Sequence, residues 1–320
     1  MQAPPITPGG DPAVAGLAEP ESLPELRSPR RIRWVRRRRA AASFWAQYRK
    51  STTGMLGLVI LIGFAAMAIF AVFADNSGVD PSKTSGPVLA PPSLEYPLGT
   101  DDFGLSVLTL VIQGSNISLL VGLTASVLSM TIGAAIGIIA GYRGGATDTF
   151  LMRITDVGLV IPWLALAIVL ASVIGQSLFA IILVIGLTSW PATARLVRAQ
   201  VLSIRERPYI ERARALGSSN GHMIVQHVLP NSMPIIFANT ILIVAIAILS
   251  ETALSFLGLG DPTKPSWGGI LESANDAGAT TLGAWWWIGS PGVCITLVVL
   301  AFTLCGFACD AIINPKLRDR

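Results

Sequence analysis

Residues 55–73 read MLGLVILIGFAAMAIFAVF, a run in which no side chain carries a charge. An α-helix rises about 1.5 Å per residue, so a run of this length nearly covers the ~30 Å hydrocarbon core of a bilayer. The run therefore predicts a membrane-spanning helix. Of the 320 residues, 52% are hydrophobic and only 13% are charged. Soluble domains carry about 25% charged residues, so this composition excludes a single soluble domain, a disordered chain and a disulfide scaffold.

Five further apolar runs are long enough to cross a bilayer, so the predicted fold class is an all-α integral membrane protein with six transmembrane helices. No soluble catalytic domain fits in the segments that remain between and around these runs. The five runs are residues 117–140, 151–174, 177–194, 233–257 and 286–308.

Lysine and arginine are distributed very unevenly among the segments outside these runs. All but two of the 23 lie before the first run, in the second-to-third or fourth-to-fifth connection, or after the last run, if Arg153 at the start of the third run is counted with the connection before it. The two exceptions are Lys83 and Lys264. Because positively charged segments stay on the cytoplasmic side, this distribution predicts that both termini are cytoplasmic.

Motifs of soluble enzyme chemistry are largely missing from the chain. It contains no Gly-x-x-x-x-Gly-Lys-Ser/Thr run for nucleotide phosphates and no His-Glu-x-x-His zinc motif. The two histidines, His222 and His227, are five residues apart, a spacing that points them in different directions on an α-helix. We therefore expect neither a bound metal nor a cofactor in this chain.

The connection between the fourth and fifth runs, residues 197–231, is the most informative polar segment. Pro208 suits the first turn of a helix, and Gly217 suits its end. A second short helix is predicted from Ser218, Ser219 or Asn220 to Val228, with Pro230 separating it from the fifth span. Two alternatives are an ordinary solvated loop and a DNA-reading helix-turn-helix. A short loop tethered to membrane spans at both ends can hardly enter a major groove, so we expect no nucleic-acid partner.

This connection resembles the EAA loop of ABC-importer permeases. The resemblance rests on Glu211-Arg-Ala213, then Gly217, then Leu229-Pro230, with Arg212 standing where the family motif has alanine. In that family the loop docks into a groove of a cytoplasmic ATPase subunit. The resemblance thus implies that Glu211, Ala213, Gly217, Leu229 and Pro230 couple this chain to an ATPase.

Longer strings extend the resemblance to the dipeptide and oligopeptide importers, from about residue 34 to residue 317. It implies a type I ABC importer permease fold in a bacterial inner membrane, a second homologous permease, two ATPase subunits or one fused ATPase that bind ATP and Mg²⁺, and an extracytoplasmic peptide-binding protein. It leaves the substrate open among dipeptides, oligopeptides, nickel chelates and haem. The strings are YPLGTDDFG at 96–104, GYRGG at 141–145, ETALSFLGLG at 251–260, PSWG at 265–268 and NPKL at 314–317.

The resemblance also suggests a division of the chain into four regions. Residues 1–33 form a disordered basic tail attracted to membrane lipid, and residues 34–116 hold the first helix and an external loop. Residues 117–311 form the five-helix permease domain, and residues 312–320 form a cytoplasmic tail. A cleaved secretory signal is the alternative for the N-terminus, but about fifty residues precede the first apolar run, which does not match such a signal.

A few individual residues stand out. Glu251 lies deep in the fifth run, where a carboxylate is expected to face the translocation path or a neighbouring helix. Arg153 and Asp156 are spaced for an i,i+3 ion pair in the third run, or for a place on that path. Candidate contacts for the binding protein are Gly99, Thr100, Asp101 and Trp267.

Helix packing is predicted by small and aromatic residues in two other runs. Gly133, Gly137 and Gly141 form a stripe that allows another helix to approach closely. The tryptophans at 285–287 are predicted to lie in the membrane interface.

Two other classes of protein remain as alternatives to an ABC permease. A secondary transporter or channel needs no ATPase and would show an inverted repeat or a charged path, and no clear repeat is visible. A membrane-bound enzyme would need a catalytic constellation of side chains.

Overall fold

The structure, a computed structural model, describes residues 29–73 and 86–313. The chain divides into two units, Met1–Gln47 and Tyr48–Arg320. Within the described ranges every regular element is a helix, and one isolated bridge pairs Thr100 with Ser106. Residues 1–28, Lys83 and most of the predicted tail at 312–320 lie outside the described residues.

The first unit contains helix α1, Pro29–Tyr48, whose last residue belongs to the second unit. Helix α1 begins at Pro29, inside the segment 1–33 that was predicted to be a disordered tail. Proline is well tolerated at the start of a helix, and the arginines and alanines that follow have high helix propensity.

Five helices of the second unit are long and apolar enough to cross a membrane. Four of them are α2 (Thr52–Phe73), α3 (Val107–Arg143), α6 (Leu178–Arg205) and α11 (Trp285–Ile313). The fifth is the helix Asn220–Leu259, which has a kink at Gly258 (φ +75°) near its end. It consists of α8 (Asn220–Met223), a π-helical turn (Ile224–Val228), α9 (Leu229–Leu254) and a second π-helical turn (Ser255–Leu259).

The remaining predicted span, 151–174, is a broken one. Helices α4 (Gly145–Val160) and α5 (Trp163–Ile174) meet at an angle of 89°, and the chain has six spans if this pair crosses the membrane as one. Ile161 precedes Pro162 and has an extended backbone with ψ 127°. A residue before proline is pushed out of the α conformation, which explains why a continuously apolar run bends here.

Helix α3 lies at the centre of the second unit and contacts α2, α4, α6, α9, α10 and α11. Its most extensive contact is with α6. Two short helices lie outside the long ones, α7 (Pro208–Ala215) after α6 and α10 (Trp267–Asp276) before α11. We call the end of the bundle formed by Arg143, Arg205 and α7 the basic end. The opposite end, formed by residues 86–106 and 260–284, is the acidic end.

The glycine stripe on α3 packs directly against α6. A Cβ atom added at Gly133 would lie 2.6 Å from the Thr193 Cβ, and one at Gly137 would lie 2.5 Å from the Ala194 carbonyl oxygen. At Gly141 the added atom would lie 3.0 Å from the Arg198 carbonyl oxygen. Side chains at these three positions would therefore push the two helices apart.

Replacing Gly137 with leucine should destabilise the protein by about 1–3 kcal/mol, the usual cost of overpacking. The contact at this position is with backbone, which cannot move without shifting α6. Gly63 on α2 is the matched control, because a Cβ added there meets nothing within 4 Å. Thermal unfolding of the two variants in detergent should give a lower midpoint for Gly137→Leu, and equal midpoints would contradict this packing.

Candidate functional site

The connection between α6 and α9, residues 206–228, is compact, and we call it the connecting segment. It begins with α7, in which Pro208 occupies the first turn. Helix α7 ends in a Schellman motif, with the Ser218 N–H donating to the Ala213 oxygen (3.2 Å) and the Gly217 N–H to the Arg214 oxygen (3.0 Å). Gly217 has φ +83°, a conformation that glycine adopts without strain. The predicted short helix with a terminal glycine is thus observed.

The second half of the connecting segment differs from its prediction. The Ser219 Oγ accepts a hydrogen bond from the His222 N–H (3.3 Å), as expected for a helix cap. The helix that follows then runs without interruption into α9, so the prediction that Pro230 separates it from the fifth span is wrong. Pro230 lies in the first turn of α9, directly after the π-helical turn Ile224–Val228. The wider turn accommodates the missing proline N–H.

The same π-helical turn brings the two histidines together. The rings of His222 and His227 lie 5.9 Å apart, edge to face, and the Tyr209 ring lies 6.2 Å from that of His227. The expectation that these histidines point in different directions is therefore wrong. A π-helix closes its hydrogen bonds from i to i+5, which places residues five apart on one face.

Ile210 anchors α7 to the ends of the long helices. Its side chain is fully buried in a cluster of buried apolar residues. The Tyr142 hydroxyl at the end of α3 donates to the Asn220 Oδ1 (3.3 Å), and the Arg214 guanidinium lies over the Tyr142 ring at 5.9 Å. The connecting segment is thus packed onto α3, α6 and α9. The other members of the cluster include Tyr142, Val201, Ile204, Met223 and Val228.

The opposite face of the connecting segment is exposed. Leu216, next to the glycine corner, exposes 87% of its surface, which is unusual for a large apolar side chain beside a packed helix. Glu211, Gly217 and Pro230 are also exposed, while Ala213 and Leu229 are half-buried against the Ile210 cluster.

Two ion pairs tie α4 to α6 near the basic end. The Arg195 guanidinium contacts the Asp156 carboxylate at 2.7 Å, and the Arg198 guanidinium contacts both oxygens of Asp148 at 2.5 and 2.7 Å. The predicted pair between Arg153 and Asp156 is therefore wrong. The chain bends after α4, so Asp156 faces α6 and finds its partner on that helix.

Glu251 lies at the centre of a buried polar cluster that joins three helices. Its side chain is only 1% exposed. The Ser118 hydroxyl on α3 donates to Oε2 (3.0 Å), and the Ser255 hydroxyl donates to Oε1 (2.8 Å). Ser118 also accepts from the backbone N–H of Trp267 at the start of α10 (3.2 Å). Glu251 thus contacts neighbouring helices, which is one of the two roles expected for it, the other being a place on the translocation path.

Replacing Glu251 with leucine should lower the free energy of unfolding by about 1–3 kcal/mol, because two serine hydroxyls would lose their buried acceptor. Glutamine retains an acceptor and a similar shape, so Glu251→Gln should unfold close to the wild type. Thermal unfolding in detergent would test this, and equal stability of both variants would contradict it. A transport assay on Glu251→Gln separates the two expected roles, because a loss of transport with normal stability would place the charge on the predicted translocation path.

The four candidate contacts for the binding protein are buried. Thr100 and Trp267 are fully buried, and Asp101 is 3% exposed. The Trp267 indole N–H donates to the Val111 oxygen (3.0 Å), while the Asp101 Oδ1 accepts from the N–H groups of Phe103 (2.9 Å) and Leu105 (2.7 Å). Gly99 has φ +69° and leaves no room for a Cβ beside the Trp286 indole. In this structure these residues hold the acidic end together and offer no side chain to a soluble partner.

The three tryptophans at the start of α11 differ in how much of their surface is exposed. Trp285 is 70% exposed, as expected for an interfacial residue. Trp286 and Trp287 are buried, so the interfacial prediction is wrong for both. They pack into the cluster around Trp267 because the segment 86–106 covers them from the acidic end.

Residues 217–221, Gly-Ser-Ser-Asn-Gly, match the Gly-x-Ser-x-Gly pattern of hydrolases, but the surroundings are different. A nucleophile elbow joins a strand to a helix. Ser219 follows a helix, and its hydroxyl caps the next one. Among the described residues, no three His, Cys, Asp or Glu side chains are placed to hold a metal ion.

A bundle of membrane-spanning helices with a compact exposed segment at one end and buried polar contacts towards the other is typical of the membrane-spanning subunit of a transporter. Comparison with known proteins identifies the family. Residues 133–319 match the family of binding-protein-dependent transport system inner membrane components. Residues 41–98 match the N-terminal transmembrane domain of oligopeptide transport permease C.

Similar proteins come from several bacteria. The dipeptide transport system permease protein DppC of Alkalihalophilus pseudofirmus is 36% identical over 85% of this chain and 89% of its own length. That of Bacillus subtilis is 37% identical over 86% and 85%. The di/tripeptide transport system permease protein DppC of Pseudomonas aeruginosa is 34% identical over 86% and 92%. The chain belongs to the binding-protein-dependent transport permeases, and it is a multi-pass permease subunit of a peptide ABC importer.

Two features of the connecting segment were missed by the sequence reasoning. Ile210 and Leu216 are both apolar residues of this segment, but Ile210 is fully buried and Leu216 is largely exposed. The spacing of Ile210 and Ala213, one turn apart, indicates a buried face of α7. Leu216 lies just before the glycine, where no helical period applies.

Proposed function

We propose that this chain forms half of the translocation pathway of an ATP-driven peptide importer and is driven through its connecting segment. The other half would be a homologous but non-identical permease. Two cytoplasmic ATPase subunits, or one fused ATPase, would supply the energy, and an extracytoplasmic binding protein would deliver the peptide. The observation that carries the proposal is the anchored segment with Leu216 exposed at its corner.

The distribution of charge supports the orientation. Arginines cluster at the basic end, and carboxylates such as Asp101, Asp102 and Glu272 lie at the acidic end. The basic end would face the cytoplasm of a bacterial cell, with both termini on that side of the inner membrane. The connecting segment would then be on the side where ATP is available.

The roles of the loop residues follow from their exposure. Leu216 and Glu211 would contact the ATPase, while Gly217 sets the corner. Ala213, Leu229 and Pro230 would pass the movement to α9, because Ala213 and Leu229 pack against the same buried cluster and Pro230 lies in the first turn of α9. ATP and Mg²⁺ would bind only to the ATPase subunits.

An energy source is required on physical grounds. Driving a two-state bundle from 1:99 to 99:1 takes ~5.5 kcal/mol of differential binding. ATP binding by the partner subunits would supply it, so that the central cavity between the two permeases opens alternately to each side.

Replacing Leu216 with glutamate should uncouple the transporter without unfolding it. The side chain is 87% exposed, so the change should alter stability by less than about 0.5 kcal/mol. A charge in the contact should reduce co-purification of the ATPase and lower peptide uptake about tenfold, as expected when an apolar anchor is lost. Val225, 58% exposed on the next helix, provides the control Val225→Glu. Wild-type uptake and co-purification for Leu216→Glu would contradict the proposal.

A further inference from the structure

Helix α9 leaves one narrow face uncovered in the half that is nearer the acidic end. Its other faces pack within the chain, against α3, α5, α6, α10 and α11. Ile246 exposes 56% of its surface and Leu249 exposes 47%. From residue 242 to residue 254, the residues that are not buried are Leu242, Ile246, Leu249, Thr252 and Ala253.

The uncovered face continues along α9 with a regular spacing. Six residues follow one another at alternating intervals of four and three, and none of them is buried. An average step of 3.5 residues keeps side chains on one line along a helix, and a second helix that crosses at about 20° packs along such a line. The six residues, which we call the α9 seam, are Ile235, Asn239, Leu242, Ile246, Leu249 and Ala253.

A helix that faces lipid looks different, as α2 shows. Among its residues only Gly54, Gly57 and Ala71 are buried. Its exposed residues follow one another at intervals of one to three, so they cover a broad arc of the helix surface. Lipid contacts such a broad arc, whereas a seam one or two side chains wide fits a single neighbouring helix.

Asn239 gives the α9 seam a polar group near the middle of the span, about 15 Å from the start of α9. In the part of the chain that the structure describes, no hydrogen bond reaches its side chain. The neighbouring Thr240 hydroxyl, by contrast, donates to the Ile236 oxygen within α9 (2.7 Å). Asn239 is half-buried, and neither of its amide atoms is sealed inside the chain, so a neighbouring molecule can reach them.

Three kinds of neighbour can cover the α9 seam: lipid, a water-filled path or a helix of another protein. Lipid tails would leave the Asn239 amide unpaired, which is costly in hydrocarbon. A water-filled path would carry further polar groups, but the other five seam residues are isoleucine, leucine or alanine. A protein helix fits both observations, because it packs against apolar side chains and can hydrogen-bond to an asparagine.

We propose that the α9 seam packs against one membrane-spanning helix of the second permease subunit, and that the Asn239 amide hydrogen-bonds to a polar group of that helix. This inference rests on the proposed function, because it takes the neighbour to be the homologous permease. It assigns the face of this chain at which the two subunits meet. The single amide also sets the register of the two helices, since a shift along the α9 seam would leave it unpaired.

The first test places the photo-crosslinking residue benzoylphenylalanine at single positions of the assembled transporter in its membrane. The second permease carries an affinity tag, which identifies its adducts. Residues Ile246 and Leu249 should each yield an adduct with the second permease. Val59 on α2 is the matched control, because it is similarly exposed, at 61%, and should yield none.

The second test removes the amide. Asn239→Leu should reduce the amount of second permease that co-purifies in detergent about three- to tenfold, as expected for the loss of one hydrogen bond between membrane helices. Asn239→Gln keeps an amide and should retain most of the partner. Thr240→Val is the control, because its hydroxyl bonds within α9. Thermal unfolding of this chain purified alone should not change with Asn239→Leu, whereas a purely internal role of the amide would lower the midpoint.

Several results would overturn the proposal. Adducts of Ile246 and Leu249 that contain only lipid or a differently tagged second copy of this chain would do so, as would unchanged co-purification with Asn239→Leu. Labelling of Asn239→Cys by a charged, water-soluble thiol reagent, in a variant without the native cysteines, would place the α9 seam on a water-filled path.

The same measurements separate this proposal from the proposed function. Adducts with the second permease from Val59 alone would leave the pairing of two permeases standing and show that the α9 seam is not its site. Failure of the wild-type chain to co-purify with any second permease would overturn both. Loss of ATPase co-purification with retained adducts from Ile246 would count only against the proposed coupling.

Discussion

Replacing Trp267 with alanine should lower the free energy of unfolding by about 3–5 kcal/mol, the usual cost of truncating a buried tryptophan. Trp267 is fully buried at the start of α10. Its indole packs edge to face on Phe64 of α2 at 5.6 Å, and its N–H donates to the Val111 oxygen of α3. The substitution thus removes contacts to two membrane-spanning helices and leaves a cavity.

The control for this change is Trp285→Ala, which removes the same side chain from a position that is 70% exposed. Denaturant or thermal unfolding in detergent should show a change of about 0.5 kcal/mol or less for this control. Comparing Trp267→Ala with Trp285→Ala also separates a loss of stability from a loss of binding-protein docking. Selective loss of binding-protein docking by Trp267→Ala, at unchanged stability, would instead support the predicted contact of Trp267 with that protein.

Replacing Ile210 with aspartate should detach α7 from the bundle and abolish coupling. Removing a buried isoleucine costs about 2–5 kcal/mol, and burying an unpaired charge in its place costs more. The segment should therefore unfold locally, so that ATPase co-purification and peptide uptake are lost. Trypsin should then cleave faster after Arg212 and Arg214, which lie on α7.

The conservative variant Ile210→Val keeps the anchor and should cost only about 0.5–1.5 kcal/mol. It should retain uptake and resist trypsin. If Ile210→Asp bound the ATPase normally and remained resistant to trypsin, the anchoring of the connecting segment by Ile210 would be disproved.

The membrane-spanning helices could be predicted because each is a long run of mostly apolar residues, but their breaks could not. Four prolines illustrate this. Pro191, Pro234 and Pro291 lie inside helices that continue through them, whereas Pro162 marks a bend of 89°. In a bundle, neighbouring helices and local adjustments satisfy the backbone groups that a proline frees, so the sequence of one helix does not decide the outcome.

In the candidate site, too, local backbone conformation could be predicted from the sequence, but contacts between distant side chains could not. The glycine corner at Gly217 was predictable because only one residue type adopts its backbone conformation easily. The partner of Asp156 was not, because it lies 39 residues further along, on α6. Likewise, residues 99–101 were predicted to contact the binding protein, but they are buried because the loop folds back onto Trp286.

The long helix that begins at Asn220 has a mechanical consequence. It continues through α9 into the turn Ser255–Leu259, where Gly258 leaves the helical conformation with φ +75°. The part before that turn measures roughly 50 Å at 1.5 Å per residue, so a tilt of about 10° around its midpoint would shift both tips by about 5 Å in opposite directions. Nucleotide-driven displacement near Leu216 would therefore reach the opposite side of the membrane, where Gly258 would act as the joint to the loop that follows.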